Sequence, residues 1–227
     1  MPDKKAELFD EWPEKYDRWF ATPIGTLVKK CEEELLFDLL KPTLGEKILD
    51  AGCGTGVFTI GILSLGAHVT GLDISLPMLL RAGQKAKGSP FQMVSGNLLN
   101  LPFRENSFDK VASVTALEFI EDGQGALKEF FRVTRRGGSI VVATLNSLSP
   151  WALRRKAEAR KGHALFQKAI FRSPDDLDSI APVKGVIRTA VHFQKEDDPG
   201  KAVEVELAGR QKGLLTGAFL AGHWQKP

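Results

Sequence analysis

Cysteine is scarce in this chain, and its scarcity argues against two common kinds of stabilised small domain. The 227 residues include two cysteines, Cys31 and Cys53, which lie far apart and belong to no CxxC pair. Isolated thiols of this kind provide neither a disulfide framework nor a zinc site, so we expect a reducing compartment and no bound metal. The opening residues MPDKKAELFDEW lack the apolar segment of a secretory signal, and we expect a cytoplasmic protein.

Long apolar runs and a strong net charge are also missing. No uncharged apolar stretch approaches the roughly 18 residues that cross a bilayer, so we expect no transmembrane segment. The formal net charge of +3 is too small to indicate a nucleic-acid partner by itself. The hydrophobic content of 43% and the charged content of 26% are typical of soluble globular proteins. The length suits one good-sized domain or a domain with a lid.

Short apolar strands alternate with helical patterns between residues 46 and 146. Five segments read as strands: KILDA, AHVTGLD, FQMVSG, FDKVASVT and GSIVVATLN. This alternation predicts an open α/β sandwich with a mostly parallel sheet, in which ligands bind beyond the carboxyl ends of the strands. Two later segments, VKGVIRTAVHF and GAFLAGHW, predict a C-terminal antiparallel strand pair. We therefore expect residues 46–227 to form the main domain.

An N-terminal helical cap is predicted over residues 1–45. In its first helix, Trp12, Tyr16, Trp19 and Phe20 share one helical face. The structural interpretation of this face is a helix fixed to the domain by its aromatic side chains. The functional one is that Tyr16 and Trp19 help to close an active site.

A basic helical lid is predicted at about 149–181. It contains a run of cationic side chains: Arg154, Arg155, Lys156, Arg160 and Lys161. A solvated face explains most such runs. The alternatives are an anionic substrate near Arg154 and Arg155, or peripheral contact with an acidic membrane surface. Together with Trp19 and Phe20, the two arginines form the predicted substrate and lid set.

The stretch ILDAGCGTG places glycines on alternate positions directly after the first strand. Gly52, Gly54 and Gly56 form a GxGxG pattern, which differs from the GxGxxG of nicotinamide cofactor sites and from the Gly-Lys-Ser/Thr ending of a Walker A loop. Asp50, two residues earlier, would oppose a pyrophosphate and suits a cationic amino group. Cys53 lies within the turn. A glycine turn of structural value only is the alternative.

Polar residues also follow the next two strands. Asp73 lies about 20 residues after the first glycine, where a carboxylate can accept both hydroxyls of a ribose, and a helix-capping role is the alternative. Ile74 and Met78 can sandwich a flat base, although a helical Met is usually a core residue. Asn97 and the backbone of Leu98 can bond the edge of that base. Together these residues favour a nucleoside with a charged amino-acid tail over a dinucleotide.

The fourth strand ends beside the glycine turn. Thr115 should lie next to the turn, with Glu118 just beyond it on the expected substrate side. Glu118 is the candidate general base, and a cap of the turn EFIEDG is an equal alternative. Three histidines are further candidates for substrate contact, each with a structural alternative: His163, His192 and His223.

Four segments in order, ILDAGCGTG, GLDISLPML, LPFRENSFDKV and LKEFFRVTRRGGSIVVATLN, resemble the successive motifs of class I S-adenosylmethionine-dependent methyltransferases. They are most similar to the type 11 group, which includes ubiquinone/menaquinone-pathway enzymes and many small-molecule methyltransferases. The resemblance covers roughly residues 47–146. It implies a Rossmann-like class I sandwich, S-adenosyl-L-methionine as cofactor and S-adenosyl-L-homocysteine as product.

At matching positions the resemblance implies that the glycines shape the methionine pocket, that Asp73 holds the ribose and that Asn97 stands near the adenine amine. Many family members carry Asp where this chain has Asn97, which affects the expected affinity rather than the chemistry. The residues and the resemblance together give this cofactor-binding set: Tyr16, Asp50, Gly52, Cys53, Gly54, Gly56, Asp73, Ile74, Met78, Asn97, Leu98 and Thr115.

The function expected from the sequence is methyl transfer to a small molecule, at an O, N, S or C atom that the chain leaves open. The alternatives are an RNA or protein methyltransferase and a non-catalytic protein that binds S-adenosylmethionine. We expect no nucleic-acid partner, since no appended nucleic-acid module is visible. A monomer and a homodimer both remain open.

Overall fold

Seven strands form a single sheet in the structure, a computed structural model that describes residues 8–227. Residues 1–7 of the predicted N-terminal cap lie outside the described residues. The strands are β1 Lys47–Ala51, β2 His68–Asp73, β3 Phe91–Ser95, β4 Phe108–Val114, β5 Thr134–Leu145, β6 Val186–Ala190 and β7 Phe219–Gln225. The helices are α1 Pro13–Phe20, α2 Pro23–Leu40, α3 Val57–Ser64, α4 Leu76–Lys85, α5 Gly123–Val133, α6 Pro150–Arg160, α7 Ala164–Lys168, α8 Pro174–Ser179 and α9 Pro199–Gln211.

The strand order is β3-β2-β1-β4-β5-β7-β6. Strands β1 to β5 pair in parallel, whereas β7 runs antiparallel to both β5 and β6. The predicted α/β sandwich with a C-terminal antiparallel pair is thus confirmed. Strand β2, which follows β1 in the chain, pairs with one edge of β1, and β4 pairs with the other edge. The carboxyl ends of β1 and β4 therefore frame the crevice in which sheets of this kind bind ligands.

Each face of the sheet is covered by helices, so neighbouring strand residues enter opposite cores. Ile48 and Val141 pack on the side of α2 and α3, whereas Leu49 and Ile140 pack on the side of α5. Because both faces are buried, the central strands read as continuous apolar runs. The polar residues lie instead at the carboxyl edge of the sheet.

Helix starts follow local capping signals. Thr22 accepts a hydrogen bond from the backbone N–H of Gly25 at 3.1 Å, and Pro23 occupies the first turn, so α2 starts at Pro23. Ser75 caps α4, since its side chain accepts a hydrogen bond from the backbone N–H of Met78. Helix α8 starts with a full capping box at Ser173.

Two elements differ from the predictions. Strand β5 begins at Thr134 rather than at residue 138, because Thr134 pairs with Phe108 across a register shift. Helix α9, between β6 and β7, has no counterpart among the predicted elements. It packs its buried side against the same core as α2 through Ala202. Within residues 8–227, no helix combines the length and the apolar character needed to cross a membrane.

The end of β5 is tied to the segment before β7 by a single buried amide. Asn146 donates hydrogen bonds from Nδ2 to the carbonyl oxygens of Leu215 at 2.9 Å and Gly217 at 2.7 Å. Its Oδ1 accepts from the backbone N–H of Leu148 at 3.0 Å. These bonds fix the point at which the chain leaves the sheet for α6.

We expect Asn146→Ala to lower the free energy of unfolding by roughly 2–4 kcal/mol, because it leaves several backbone groups without partners. Urea unfolding followed by circular dichroism measures the change. Asn100→Ala is the matched control, since Asn100 is exposed and should change stability by less than about 0.5 kcal/mol. Equal effects of the two substitutions would contradict the role assigned to Asn146.

Candidate cofactor and acceptor site

A cavity of about 430 Å³ opens at the carboxyl edge of the sheet, beneath α1, α6 and α7. The predicted cofactor set lies on its wall with one exception, Gly56. The wall also contains the whole predicted substrate and lid set and Glu118. The structure therefore brings together residues that the sequence distributes from position 16 to position 155.

The glycine turn needs glycine for two different reasons. Gly52, Gly54 and Gly56 all adopt positive φ, at 81°, 53° and 77°. A Cβ at Gly52 would also lie 2.4 Å from Ala116 Cβ, whereas one at Gly54 would meet nothing within 4 Å. Gly56 lies behind the wall, where the space of its missing side chain lets α3 start close to Ala82.

Asp73 uses both carboxylate oxygens to hold the turn. Oδ2 accepts from the backbone N–H of Gly54 at 2.8 Å, and Oδ1 accepts from the backbone N–H of Ser75 at 2.9 Å. Each carboxylate oxygen has a further lone pair, so the group can still accept two ligand hydroxyls. Asp73 thus supports the turn through backbone hydrogen bonds, while Ser75 caps α4, and its role in ligand binding stays a prediction.

Asp50 is almost fully buried at the end of β1, and its Oδ2 accepts a hydrogen bond from Thr59 Oγ1 at 2.5 Å. Burial raises the pKa of this carboxyl to about 6, although the bond from Thr59 opposes the increase. A buried carboxylate on a cavity wall is stabilised by a cationic ligand group. Asp50 therefore has the chemistry that a ligand ammonium requires.

Cys53 is buried in the same turn and carries a free thiol. Burial raises the pKa of this thiol well above its ordinary value, and the nearby carboxyls of Asp50 and Asp73 add to the effect. The thiol therefore stays protonated and poorly nucleophilic at neutral pH.

The far side of the turn offers a flat apolar slot. Ile74 and Met78 both line the cavity, and Met78 is also buried at 4% exposure, so its core and ligand interpretations are compatible. Leu98 lies on the same wall. Asn97 Oδ1 accepts from the backbone N–H of Leu99 at 2.9 Å, so the carbonyl expected to face a base already has one donor.

Helix α1 closes the cavity from above through polar contacts. The hydroxyl groups of Tyr16 and Thr115 lie 3.3 Å apart. Asp17 accepts hydrogen bonds from Thr55 Oγ1 at 2.7 Å, from Arg81 Nε at 2.9 Å and from Lys85 Nζ. These bonds place Trp19 and Phe20 of the same helix on the cavity wall.

Two buried carboxyls form the deep end of the cavity. Glu118 is 1% exposed, accepts from Thr144 Oγ1 at 3.3 Å and has a pKa raised by burial to about 7. Glu32 is also buried, its Oε2 has no hydrogen-bond partner, and burial raises its pKa to about 8. Sequence reasoning identified Glu118 and missed Glu32, which lies on α2.

Comparison with known proteins agrees with this geometry. A family model described as "Methyltransferase domain" matches residues 49–142, which include the glycine turn, Asp73 and Glu118. This segment, residues 49–142, is therefore a methyltransferase domain.

Two curated relatives are similar to part of this chain. A demethylmenaquinone methyltransferase of Corynebacterium kroppenstedtii is 35% identical over 149 residues, covering 64% of this chain and 62% of that protein. A malonyl-[acyl-carrier protein] O-methyltransferase of Erwinia billingiae is 38% identical over 121 residues, covering 53% of this chain and 47% of that protein. The chain thus spans less than two thirds of the length of these relatives.

A solved structure extends the similarity in fold to nearly the whole chain. It is a SAM-dependent methyltransferase from Thermotoga maritima, described as a "possible histamine N-methyltransferase". The TM-score is 0.72 at 23% identity, with coverage of 97% of this chain and 99% of that chain.

The two arginines of α6 have acidic neighbours. Arg154 pairs with Glu158 at 3.0 Å and also with Glu196. The guanidinium of Arg155 lies over the Trp151 ring at 5.2 Å, and it lowers the raised pKa of Glu32. These neighbours offset the positive charge that the basic run suggests for an anionic substrate.

The candidate histidines are separated by the fold. His163 lies on the cavity wall, where its ring stacks on Phe166 with centroids 4.2 Å apart. His192 packs against Gly209 of α9, and a nitrogen of His223 lies 3.3 Å from Ser139 Oγ. Neither His192 nor His223 is on the described cavity wall.

The two wall glycines provide a matched test. We expect Gly52→Ala to destabilise the protein by roughly 2–4 kcal/mol, because it adds a clash with Ala116 to the strain of positive φ. Gly54→Ala should cost about 1 kcal/mol, since it adds strain alone. Thermal unfolding of both variants measures the difference. A larger loss for Gly54→Ala would contradict the assigned geometry of the turn.

Glu32 should make stability depend on pH. Its folded pKa is raised, so its stabilising contribution is present below the unfolded value and is lost as pH rises through about 8. Glu32→Gln cannot ionise. Its stability advantage over the natural protein should grow by roughly 2–4 kcal/mol from about pH 5 to about pH 9.

Urea unfolding at three pH values measures this difference, and groups common to both proteins cancel. Glu33→Gln is the control, because Glu33 is the next residue and forms a partly exposed pair with Lys29. If the difference in unfolding free energy between Glu32→Gln and the natural protein is constant across pH, the Glu32 carboxyl is not buried in its ionised form.

Proposed function

We propose that this protein transfers the methyl group of S-adenosylmethionine to a small-molecule acceptor bound in the same cavity. The observation that carries the proposal is the continuity of that cavity. One end is formed by the glycine turn with two carboxyls, and the other end is enclosed by aromatic side chains and α6. A donor and an acceptor can therefore lie in contact, away from bulk water.

The residues present fit the cofactor part by part. Asp50 would face the ammonium of the methionine part, Asp73 would accept the ribose hydroxyls, and Ile74 and Met78 would contact the adenine faces. Asn97 and the backbone of Leu98 would lie at the adenine edge. When bound, the cofactor supplies an activated methyl group on a sulfonium, and the protein's part is to orient the acceptor and exclude water.

The enclosed acceptor end supports a small substrate rather than a polymer. Aromatic residues from the cap, the lid and the strand ends form its walls: Phe9, Trp12, Tyr16, Trp19, Phe119, Trp151 and Phe166. The names of two relatives describe small or carrier-bound acceptors, a demethylmenaquinone and a malonyl group. We propose that residues 13–20 act as a cap and that α6 and α7 act as the lid.

Asp50 gives a test in which stability and binding move in opposite directions. In Asp50→Asn the amide oxygen can still accept from Thr59, while the costly buried charge is removed. We expect an unchanged or higher melting temperature at about pH 8. We also expect S-adenosylhomocysteine to bind about 10-fold to 100-fold more weakly, because its ammonium loses a charged partner.

Isothermal titration calorimetry measures the affinity, with Asp175→Asn on the exposed surface of α8 as control. Wild-type affinity in Asp50→Asn would remove the role given to Asp50. Binding of NAD in preference to S-adenosylhomocysteine by the natural protein would overturn the proposed function. Transfer itself is tested by mass spectrometry for a methylated product after incubation with metabolite extracts.

A further inference from the structure

Glu32 occupies a position that the core packing of α2 does not explain. It lies in the buried stripe of the helix, one turn after Val28 and one turn before Leu36. Its Oε2 is buried without a hydrogen-bond partner. A carboxyl in this state costs stability, and polar groups left unpaired in a core usually have a ligand or a reaction to serve.

The surroundings of Glu32 leave room for a ligand group. Glu118 lies on the 3₁₀ turn after β4 and faces Glu32. The two carboxyls are close enough that the charge of Glu118 raises the pKa of Glu32. Arg155 approaches from α6, yet no ion pair joins its guanidinium to either carboxyl among residues 8–227. It lies instead over the rings of Trp151 and Phe166.

The charges around the cavity favour a cation over an anion at this end. Three buried carboxyls, those of Glu32, Asp50 and Glu118, and the half-buried carboxyl of Asp73 face the cavity, against the half-buried guanidinium of Arg155. Arg154 and Glu158 pair with each other on the lid.

The remaining cations of the wall lie at its rim. The ammonium groups of the exposed Lys15 and Lys195 lie over the outer rings of Trp12 and Trp19, at 5.2 and 5.1 Å. An anionic acceptor would be repelled by each of these carboxyls that is ionised, whereas a cationic one would stabilise their ionised form.

We propose that the deep end of the cavity is the subsite for an amine acceptor, whose nitrogen binds Glu32 Oε2 between Glu32 and Glu118 while its hydrocarbon body packs on the aromatic wall. The proposal rests on the proposed function, since it names the acceptor for the same methyl transfer. Aromatic rings and carboxylates together form the environment in which proteins bind organic ammonium groups.

The subsite also provides the proton transfer that an amine needs. An ammonium has no lone pair, so one N–H proton must pass to the Glu32 carboxylate before reaction. The free lone pair then forms the N–C bond to the methyl group as the C–S bond breaks, and its electron pair stays on sulfur. The products are a methylated ammonium and a neutral thioether, and the proton on Glu32 is released to solvent.

Three probes of similar shape and different charge test the subsite: 2-phenylethylamine, 2-phenylethanol and 3-phenylpropanoate. Each is titrated into the 227-residue protein with S-adenosylhomocysteine present, and binding is followed by calorimetry and by tryptophan fluorescence. We expect the amine to bind about 10-fold more tightly than the alcohol, with the carboxylate weakest. Equal binding of amine and alcohol, or preference for the carboxylate, would overturn the proposal.

Two variants from one run of glutamates complete the test. Glu32→Gln should weaken amine binding about 10-fold and leave alcohol and S-adenosylhomocysteine binding within about twofold, whereas Glu33→Gln should change none of them. An unchanged amine affinity in Glu32→Gln would overturn the proposal. If S-adenosylhomocysteine binds but the protein does not prefer the amine, only the proposal of an amine subsite is overturned. If S-adenosylhomocysteine does not bind, both the amine subsite and the proposed function are overturned.

Discussion

The enclosure of the cavity depends on the hydrogen-bonded contact between Asp17 and the side chains of Thr55, Arg81 and Lys85. Helix α1 contains no fully buried residue, so the burial of apolar side chains contributes little to fixing this helix against the domain. Burial opposes the ionisation of Asp17, but the hydrogen bonds from Lys85, Thr55 and Arg81 outweigh burial and lower its pKa. One carboxylate thereby fixes the helix that turns an open crevice into a chamber.

The chamber uses carboxyl groups in two different ways. Asp73 is surrounded by backbone N–H donors, which hold its position and leave lone pairs for a neutral ligand. Glu32 and Glu118 have few or no donors and are enclosed by apolar and aromatic groups. The first environment suits a group that only binds. The second suits groups that exchange protons near neutral pH, because neither protonation state is strongly preferred.

The sequence allowed prediction of those parts of the site that lie directly after strands. The glycine turn, Asp73, Asn97 and Glu118 follow strand ends, and parallel strands bring such positions to one edge whatever the details of packing. Glu32 could not be located in this way, because it approaches from a helix distant in the chain. A signal was present, since Glu32 interrupts the apolar stripe of α2, but the run of three glutamates resembles a solvated face.

Helix α9 was missed for a related reason. The pair Asp198 and Pro199 is a recognisable helix start. The positions that α9 buries, however, carry Ala202, Glu206 and Gly209, while the apolar Leu207 is exposed. Its amphipathic pattern is therefore absent from the sequence, and only tertiary packing defines the helix.

The burial of Cys53 gives the protein an internal reporter. The thiol lies on the chamber wall beneath α1, at 8% exposure, and it reacts slowly while it is protonated and covered. An alkylating reagent must enter the chamber to reach this sulfur, so a ligand that fills the chamber should slow the labelling. The rate of labelling of the native chain therefore reports whether the chamber is occupied.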